Sequence, residues 1–416
     1  MGLASSVVLS SPKRTECVIE GRTVTEHPFY RQSYYTHSRS ARFDQAGLGF
    51  WGYVRKQLDG HTHIRVYNLE VEDDHSYTVD GIACSNCQPF SIARTLSASN
   101  GLTGEKGEKG VLWFEIYRFL QNKHPKYCLF ENVDRLLKSP ASCRGRDFAT
   151  ILCCLAAEGY TVEWRVVNSA EYGFPQRRKR TFIFAERRDD LSTDDDLLRL
   201  LNEGVMADAL PHEKIAMGNL REILLHATPY EENHEFSPGG NGKKSPFGTC
   251  GVMAGFRVLT CDAEAAYDGE KRTLGDVMTP EGDVPESFYV EGDALDRWKY
   301  LKGSKRERRV TKDGHEWWYS EGQMAFPDLL SNPARTILTS EGGTAPSRMK
   351  HIVQVDGKWR RLVPEELERL QGFPAGWTDG CGMTDNQRAF CMGNALVTGV
   401  VHRIGKSVAR RDSGLL

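Results

Sequence analysis

The sequence predicts a multidomain protein, in which a small all-β module precedes an α/β domain built on a doubly wound parallel sheet. The chain has 416 residues, more than one hydrophobic core normally organises. Residues 1–86 are rich in β-branched and aromatic residues and carry no convincing helical pattern. Residues 87–185 alternate apolar strands with amphipathic helices, which is typical of a parallel sheet with its site at the carboxyl ends of the strands.

The composition is that of an ordinary globular protein. Hydrophobic residues make up 39% and charged residues 26% of the chain, and no apolar run is long enough to span a bilayer. The 11 cysteines have no framework spacing, so we expect a reduced, cytoplasmic protein. The pair Cys84 and Cys87 has no second pair nearby, and no metal site is predicted. Because the net charge is -2, any nucleic-acid site must come from local clusters.

The end of the all-β module carries a specific chemistry. Residues 64–71 alternate as a strand, and residues 77–83 form another with Asp80-Gly81 as the turn. The segment then ends on Asn86 followed by Cys87. An asparagine amide can attack its own backbone carbonyl and cleave the chain, and an adjacent thiol can accept an acyl group as a thioester.

This segment resembles the C-terminal part of an intein of the Hint fold. The resemblance implies that Asn86 cyclises, that His75 assists the cyclisation, and that Cys87 is the first residue after the intein. Ser85 stands where that family usually has histidine.

The resemblance covers roughly residues 14–86 and extends to Thr25 and His27, which would activate the upstream scissile bond. By itself, that stretch also fits a strand that ends at an X-Pro turn. Nothing before Lys13 supplies the intein family's first block and its nucleophile. We therefore expect the C-terminal piece of a split intein with its partner piece on a separate chain. A miscalled start codon in a contiguous intein gene is the alternative.

The α/β domain begins at Cys87 in a loop, and a Gly-rich loop at residues 100–110 matches no phosphate-binding fingerprint. The apolar pattern then predicts alternating helices and strands. The predicted helices cover residues 111–122 and 148–158, and the predicted strands cover residues 127–130, 162–167 and 181–185.

A loop cysteine, a strand-end glutamate and an arginine cluster form a chemically coherent set. A thiolate such as that of Cys87 can add to an electron-poor ring. A carboxylic acid at Glu131 can hydrogen-bond a ring nitrogen, and Arg178 and Arg180 can hold an oxygen or a phosphate. Each residue alone also has an ordinary explanation as an inert thiol, a helix cap or a solvated charge run. The set in this order predicts a catalytic site.

The set resembles the cytosine-5 DNA methyltransferase family from its catalytic loop onward, over residues 87 to about 410. The resemblance implies that Cys87 attacks carbon 6 of a flipped cytosine and that Glu131 protonates or hydrogen-bonds nitrogen 3. It gives Arg178 and Arg180 contacts to the base and the nearby backbone. It also implies S-adenosylmethionine as cofactor, double-stranded DNA as partner, and a prokaryotic or phage restriction-modification context.

Two later regions fit the same resemblance. Residues 298–309 and 317–319 interleave basic and aromatic side chains at the position of the family's target-recognition domain, although a solvated turn beside a small core is the plain alternative. Residues 387–405 resemble the last family motif. That implies that Gly393, Asn394 and Ala395 wall the cofactor pocket, whereas a helix start with Asn394 as N-cap is the ordinary explanation.

The predicted domains follow from these resemblances. They are an intein segment at residues 1–86, the first part of the methyltransferase domain at 87–190, an irregular β-containing recognition region at 191–330, and the end of the recognition domain with the second part of the methyltransferase domain at 331–416.

The family's first strand and Gly-rich cofactor loop are expected upstream of Cys87, where intein-like sequence stands instead. We therefore expect an isolated chain that is inactive until trans-splicing joins it to an N-terminal partner that carries the cofactor half. Two alternatives remain: a non-splicing DNA-binding remnant, and a methyltransferase half that acts by non-covalent complementation.

Overall fold

A computed structural model describes residues 112–188, 190–191, 193–238, 244–310, 314–380 and 382–415, and before residue 112 only the backbones of short strands. The chain separates into two compact units, residues 1–64 and 65–416. The first unit contains β1 (Ala4–Ser10), β2 (Glu16–Ile19), β3 (Arg22–Thr25), β4 (Phe29–Tyr35), β5 (Phe43–Ala46) and β6 (Gly49–Gly52). These strands pair in antiparallel fashion, β1 with β4, β2 with β3, and β5 with β6. Strand pairs alone do not identify an intein fold.

The second unit begins its described part with β7 (Tyr77–Val79) and β8 (Ile82–Cys84), an antiparallel pair that brackets the predicted Asp80-Gly81 turn. The following elements, in chain order, are α1 (Leu112–Lys123), β9 (Tyr127–Val133), α2 (Arg146–Ala157), β10 (Tyr160–Asn168), β11 (Gln176–Arg177), β12 (Lys179–Arg187), α3 (Asp194–Glu203), α4 (Val205–Ala209), β13 (Arg221–Leu224), α5 (Pro229–Glu235), β14 (Cys250–Ala254), β15 (Arg257–Cys261), α6 (Gly292–Lys302), β16 (Lys305–Val310), β17 (Glu316–Glu321), β18 (Ala334–Arg335), β19 (Val353–Val355), β20 (Lys358–Arg360), α7 (Pro364–Gln371), α8 (Asp385–Asn394) and α9 (Thr398–Asp412).

The central sheet has six strands in the order β13-β15-β14-β10-β12-β9, and every neighbouring pair is antiparallel. The prediction of a parallel doubly wound sheet is therefore wrong for these six strands. Only residues 169–178 connect β10 to β12, and parallel neighbours need a longer crossover, usually through a helix. The strands β9 and β10 do run in the same direction across α2, but β12 lies between them.

Helices cover both faces of this sheet, as the alternating pattern predicted. On β12, Ile183 and Ala185 face the core under α2, where Phe148 packs edge-on against Trp164 with ring centroids 5.2 Å apart. Phe182 and Phe184 face the opposite core, which α4 and α9 close. A strand that is apolar on both sides is the expected pattern for a sheet buried between two helical layers.

The observed ends of the helices confirm the sequence signals that predicted where helices start and stop. The helices α1 and α2 lie within two residues of their predicted bounds, and Gly159 follows α2 with a φ of 76°. The helix α7 begins with Pro364 in its first turn and ends at Gly372, whose φ of 83° is the left-handed conformation that glycine tolerates.

Candidate active site at the ends of β9 and β12

Glu131 and Arg180 form the centre of the candidate site. The antiparallel register pairs Arg180 of β12 with Val133 of β9, so Glu131 lies two residues away along the same face. Arg180 Nε lies 2.9 Å from Glu131 Oε1, and both side chains are largely buried. The structure thus brings together two residues that the sequence predicted for one site.

The environment of Glu131 favours its protonated form. Burial raises the pKa of this carboxyl, and the positive charges of Arg180 and Arg178 offset only part of that rise. A carboxyl group with a raised pKa stays protonated up to a higher pH. Glu131 can therefore donate a hydrogen bond or a proton to a ligand.

Arg178 is buried beside them, with 3% of its surface exposed. Its Nη2 donates to the carbonyl oxygen of Gly393 at 3.1 Å. Its Nε and Nη1 are also buried but have no hydrogen-bond partner among the described residues. Burial lowers the pKa of Arg178 to about 9. Unsatisfied buried donors cost on the order of 1–3 kcal/mol each, and a ligand with acceptor atoms would satisfy them.

Gln176 fixes the backbone that carries Arg178. This glutamine is fully buried, and its Nε2 donates to the carbonyl oxygen of Leu370 at 3.2 Å while its Oε1 accepts from the backbone N–H of Ile337 at 3.1 Å. Ser169 Oγ donates to the backbone carbonyl of Gln176 at 2.6 Å. Sequence reasoning missed Gln176 and Ser169. The sequence signal that could have identified Gln176 was its position as an uncharged polar residue between a proline and a run of basic residues.

These side chains border a small cavity of about 10 Å³, which is lined by Glu131, Val167, Ser169, Arg178, Arg180, Phe182, Leu396, Val397 and Val400. Cofactor sites usually measure roughly 300–1,000 Å³. The described residues by themselves form neither a pocket for a base-sized ring nor a complete S-adenosylmethionine pocket.

Gly393, Asn394 and Ala395 lie where α8 ends, next to this cavity. A Cβ on Gly393 would lie 2.3 Å from the backbone nitrogen of Thr339, so close packing requires glycine there. Asn394 is exposed and is the last residue of α8. The alternative explanation of Asn394 as a helix N-cap is therefore wrong, because α9 begins only at Thr398. Whether these residues hold the cofactor stays a prediction.

The remaining predicted site residues lie outside the described side chains. They are Thr25, whose backbone ends β3, and His27, His75, Asn86 and Cys87. Within the ranges that the structure describes, the His, Cys, Asp and Glu side chains form no group of at least 3 that could bind a metal ion. In the same ranges, no helix is both long and apolar enough to cross a membrane.

Comparisons with known proteins agree on one family. A profile described as C-5 cytosine-specific DNA methylase matches residues 68–410. The Type II methyltransferase M.Sau3AI of Staphylococcus aureus is 44% identical over 332 residues, which cover 79% of this chain and 77% of that protein. M.HgiCII of Herpetosiphon aurantiacus is 36% identical over 377 residues, covering 80% and 82%.

Solved structures add little. The Dnmt2 methyltransferase of S. pombe aligns with 78% of this chain and 75% of its own, at 16% identity and a TM-score of 0.43. A likeness at this level adds nothing to the sequence comparisons.

Proposed function

Because the chain belongs to the C-5 cytosine-specific DNA methylase family, we propose that Glu131, Arg178 and Arg180 bind the cytosine whose carbon 5 is methylated. Enzymes of this family methylate cytosine in DNA and depend on S-adenosylmethionine as methyl donor. Carbon 5 of a paired cytosine is not accessible within the duplex, so the base must leave the helix and enter a protein cavity.

The unpartnered donors of Arg178 are the observation that carries this proposal. Cytosine presents two acceptors side by side, oxygen 2 and nitrogen 3. Protonated Glu131 donates to nitrogen 3, and the free guanidinium N–H groups of Arg178 donate to oxygen 2. Arg180 stays paired with Glu131 and fixes its orientation.

In the proposed reaction, the Cys87 thiolate forms a bond to carbon 6 of the ring. The hydrogen bond from Glu131 withdraws electron density from the ring and makes that addition easier. Electron density then builds up at carbon 5, which becomes the nucleophile toward the methyl group that bound S-adenosylmethionine would supply, with S-adenosylhomocysteine as the leaving group. Carbon 5 then loses its proton to water or a base, and the electrons of that C–H bond expel the Cys87 thiolate from carbon 6 and restore the aromatic ring. Gly393, Asn394 and Ala395 form one wall of the cofactor site in this proposal.

Replacement of Arg178 by methionine tests the assignment, because it removes the donors and keeps much of the side-chain volume. Arg177 is the matched control, since it is the adjacent residue of the same type and is exposed. We expect Arg178→Met to reduce methyl transfer to plasmid DNA by about 10²-fold or more, and Arg177→Met to leave it nearly unchanged. Equal activity of both variants would refute the role of Arg178.

We also propose that this chain joins an N-terminal partner by trans-splicing, with His75, Asn86 and Cys87 as its splicing residues and Thr25 and His27 at the upstream bond. The support is the Asn86-Cys87 junction itself, where one thiol would accept an acyl group and later attack cytosine. A second support is the edge strand β9 of the described sheet, where Leu129 is 40% exposed and offers an apolar surface to a further segment.

Mixing the chain with a candidate N-terminal partner separates the alternatives. A ligated product without residues 1–86 that methylates DNA supports splicing. Methylation without a change in mass indicates non-covalent complementation, and DNA binding without either indicates a remnant. The variant Asn86→Ala should stop ligation. Undiminished ligation by this variant would exclude asparagine cyclisation.

A further inference from the structure

The ribbon formed by β16 and β17 exposes large aromatic side chains. Trp317 is 43% exposed and Trp318 is 57% exposed. Among the strands that the structure describes, these two pair only with each other. Two-stranded ribbons are marginally stable by themselves, and clustered exposed aromatic residues usually mark an interaction surface. The ribbon therefore has the character of a binding element.

One face of the ribbon, the inner face, is anchored on α6 and its neighbours. Tyr300 of α6 donates its hydroxyl to Glu307 Oε1 at 3.1 Å, and the ammonium of Lys305 lies 4.5 Å from the centre of the Tyr300 ring. Arg348 Nη1 lies 3.3 Å from Glu321 Oε2. Since residues alternate between faces along a strand, these contacts fix the inner face and leave the opposite face to solvent.

The outer face carries Arg306, Arg308 and Trp318. Cross-strand register pairs Arg308 with Trp318 and puts Arg306 on the diagonal, with its guanidinium 4.9 Å from the centre of the Trp318 ring. Guanidinium groups stack on indole rings through the attraction of the cation for the ring face. The outer face thus combines a stacked cation with an exposed aromatic ring.

Arg306 differs from the other arginines of the ribbon. Arg308 forms an ion pair with Glu316, and Arg309 pairs with Glu307 at 3.3 Å. In the part of the chain that the structure describes, Arg306 has no carboxylate partner. Arg306 is exposed, and its stacking on Trp318 restricts its guanidinium, so less conformational entropy is lost when the guanidinium binds a ligand.

Building on the proposed function, we propose that the outer face of this ribbon enters the major groove of the substrate duplex and that Arg306 reads a guanine there. A two-stranded ribbon fits the groove, which is about 12 Å wide. The fork of the guanidinium matches the two acceptors that guanine presents in the groove, oxygen 6 and nitrogen 7. Positive charge on this face suits a polyanion, and the indole of Trp318 keeps the fork in one orientation.

A sequence-independent phosphate contact is the competing role for Arg306. That role would weaken binding to every sequence alike and lower the dependence of binding on salt. A base contact instead changes the preference among sequences and leaves binding to unrelated DNA nearly intact.

The test uses the full chain and a pool of short duplexes with a randomised centre, followed by sequencing of the bound fraction. We expect the unmodified chain to enrich a motif that contains guanine. Arg306→Ala and Arg306→Lys should lose the preference at one base pair by roughly 5- to 150-fold, since lysine lacks the planar fork. Arg309→Ala is the matched control, since Arg309 lies three residues further along the same strand on the inner face, and this variant should keep the motif.

Three outcomes would overturn the proposal: no enriched motif for the unmodified chain, the same motif for the Arg306 variants, or a loss that is equal for all sequences. Circular dichroism of each variant verifies that the ribbon substitutions leave the fold intact. The readout is DNA binding, whereas the proposed function is tested by methyl transfer, so the two proposals fail independently.

Discussion

At the scale of a single residue, the raised pKa of Glu131 predicts how methyl transfer depends on pH. Burial raises the pKa of its carboxyl, so the protonated form persists to higher pH than in water. If the proton on Glu131 supports addition to the base, methyl transfer should fall as pH rises through this pKa. Glu131→Gln should lower the rate by about 10²- to 10⁴-fold and remove that alkaline decline. A profile of methyl transfer against pH checks both effects, and an unchanged decline in the variant would assign it to another group.

A second prediction at the residue scale concerns the replacement of Gly393 by alanine. A methyl group at this position would meet the backbone of Thr339, and Gly393 also accepts the hydrogen bond from Arg178. Gly393→Ala should therefore lower both thermal stability and methyl transfer. Gly405 is the control, because it lies inside α9 and a Cβ there meets nothing within 4 Å. Gly405→Ala should raise the free energy of unfolding by about 0.5–1 kcal/mol, and similar losses in both variants would contradict the packing argument.

Sequence reasoning reached part of this site. Glu131 and Arg180 were assigned to one site by the family resemblance. Glu131 follows an apolar strand and Arg180 precedes one, so the predicted parallel sheet would have placed them at opposite edges, and it is the antiparallel pairing of β9 and β12 that brings them together. The bond from Arg178 to Gly393 was not, since it joins residues 215 positions apart through the packing of α8. Gln176 was missed for the same reason, because its partners at Ile337 and Leu370 belong to distant segments.

At the scale of elements, Asp328 ties three segments together. It accepts from Lys302 of α6 at 2.9 Å, from Arg335 of β18 at 2.8 Å, and from the backbone N–H of Ile352 at 3.0 Å. Lys302 is fully buried. Removal of the carboxylate would leave a buried ammonium unpaired, and such a loss costs about 3–5 kcal/mol.

We therefore predict that Asp328→Ala lowers the free energy of unfolding by this amount in urea titrations. Burial alone would raise the pKa of Asp328, but Arg335 and the other neighbouring charges lower it well below its ordinary value. A depressed pKa contributes stability that is complete above the ordinary pKa near ~3.9 and is lost as pH falls below it. The Asp328→Ala variant should therefore lack the part of the loss of stability at low pH that comes from protonation of Asp328.

Asp296 of α6, the helix that carries Lys302, is the control for Asp328. It forms an exposed pair with Lys299 at 3.0 Å, and such surface pairs contribute about 0–1 kcal/mol. If Asp328→Ala and Asp296→Ala had equally small effects, Asp328 would not hold α6, β18 and the segment at Ile352 together.

The sequence predicted elements better than their pairing. Apolar spacing located α1, α2 and the strands β9, β10 and β12 within a few residues. Strand direction depends on the connection instead, and the short link between β10 and β12 excluded the parallel pairing that the alternation of helices and strands suggested. The boundaries of the predicted domains at residues 86, 190 and 330 stay predictions.

At the scale of the whole molecule, the two edges of the central sheet differ in their surroundings. The strand β13 ends one side, and β9 ends the other beside α1. Phe114 and Phe119 of α1 are 39% and 36% exposed, and Leu129 of β9 is 40% exposed. An edge strand next to exposed aromatic residues is suited to pairing with a further strand. We therefore propose the β9 edge of the described sheet as the surface for the N-terminal partner.

Leu129→Lys tests this assignment, because it charges the β9 edge at an exposed position. We expect the variant to unfold within about 1 kcal/mol of the unmodified chain, but to lose association with the N-terminal partner and the methyl transfer that depends on it. Leu224→Lys is the matched control, since Leu224 is 73% exposed on the opposite edge strand β13. Analytical ultracentrifugation and methyl transfer after mixing measure the two effects. Equal association of both variants would mean that the partner binds elsewhere, and loss of association in both would indicate a non-specific effect of the added charge.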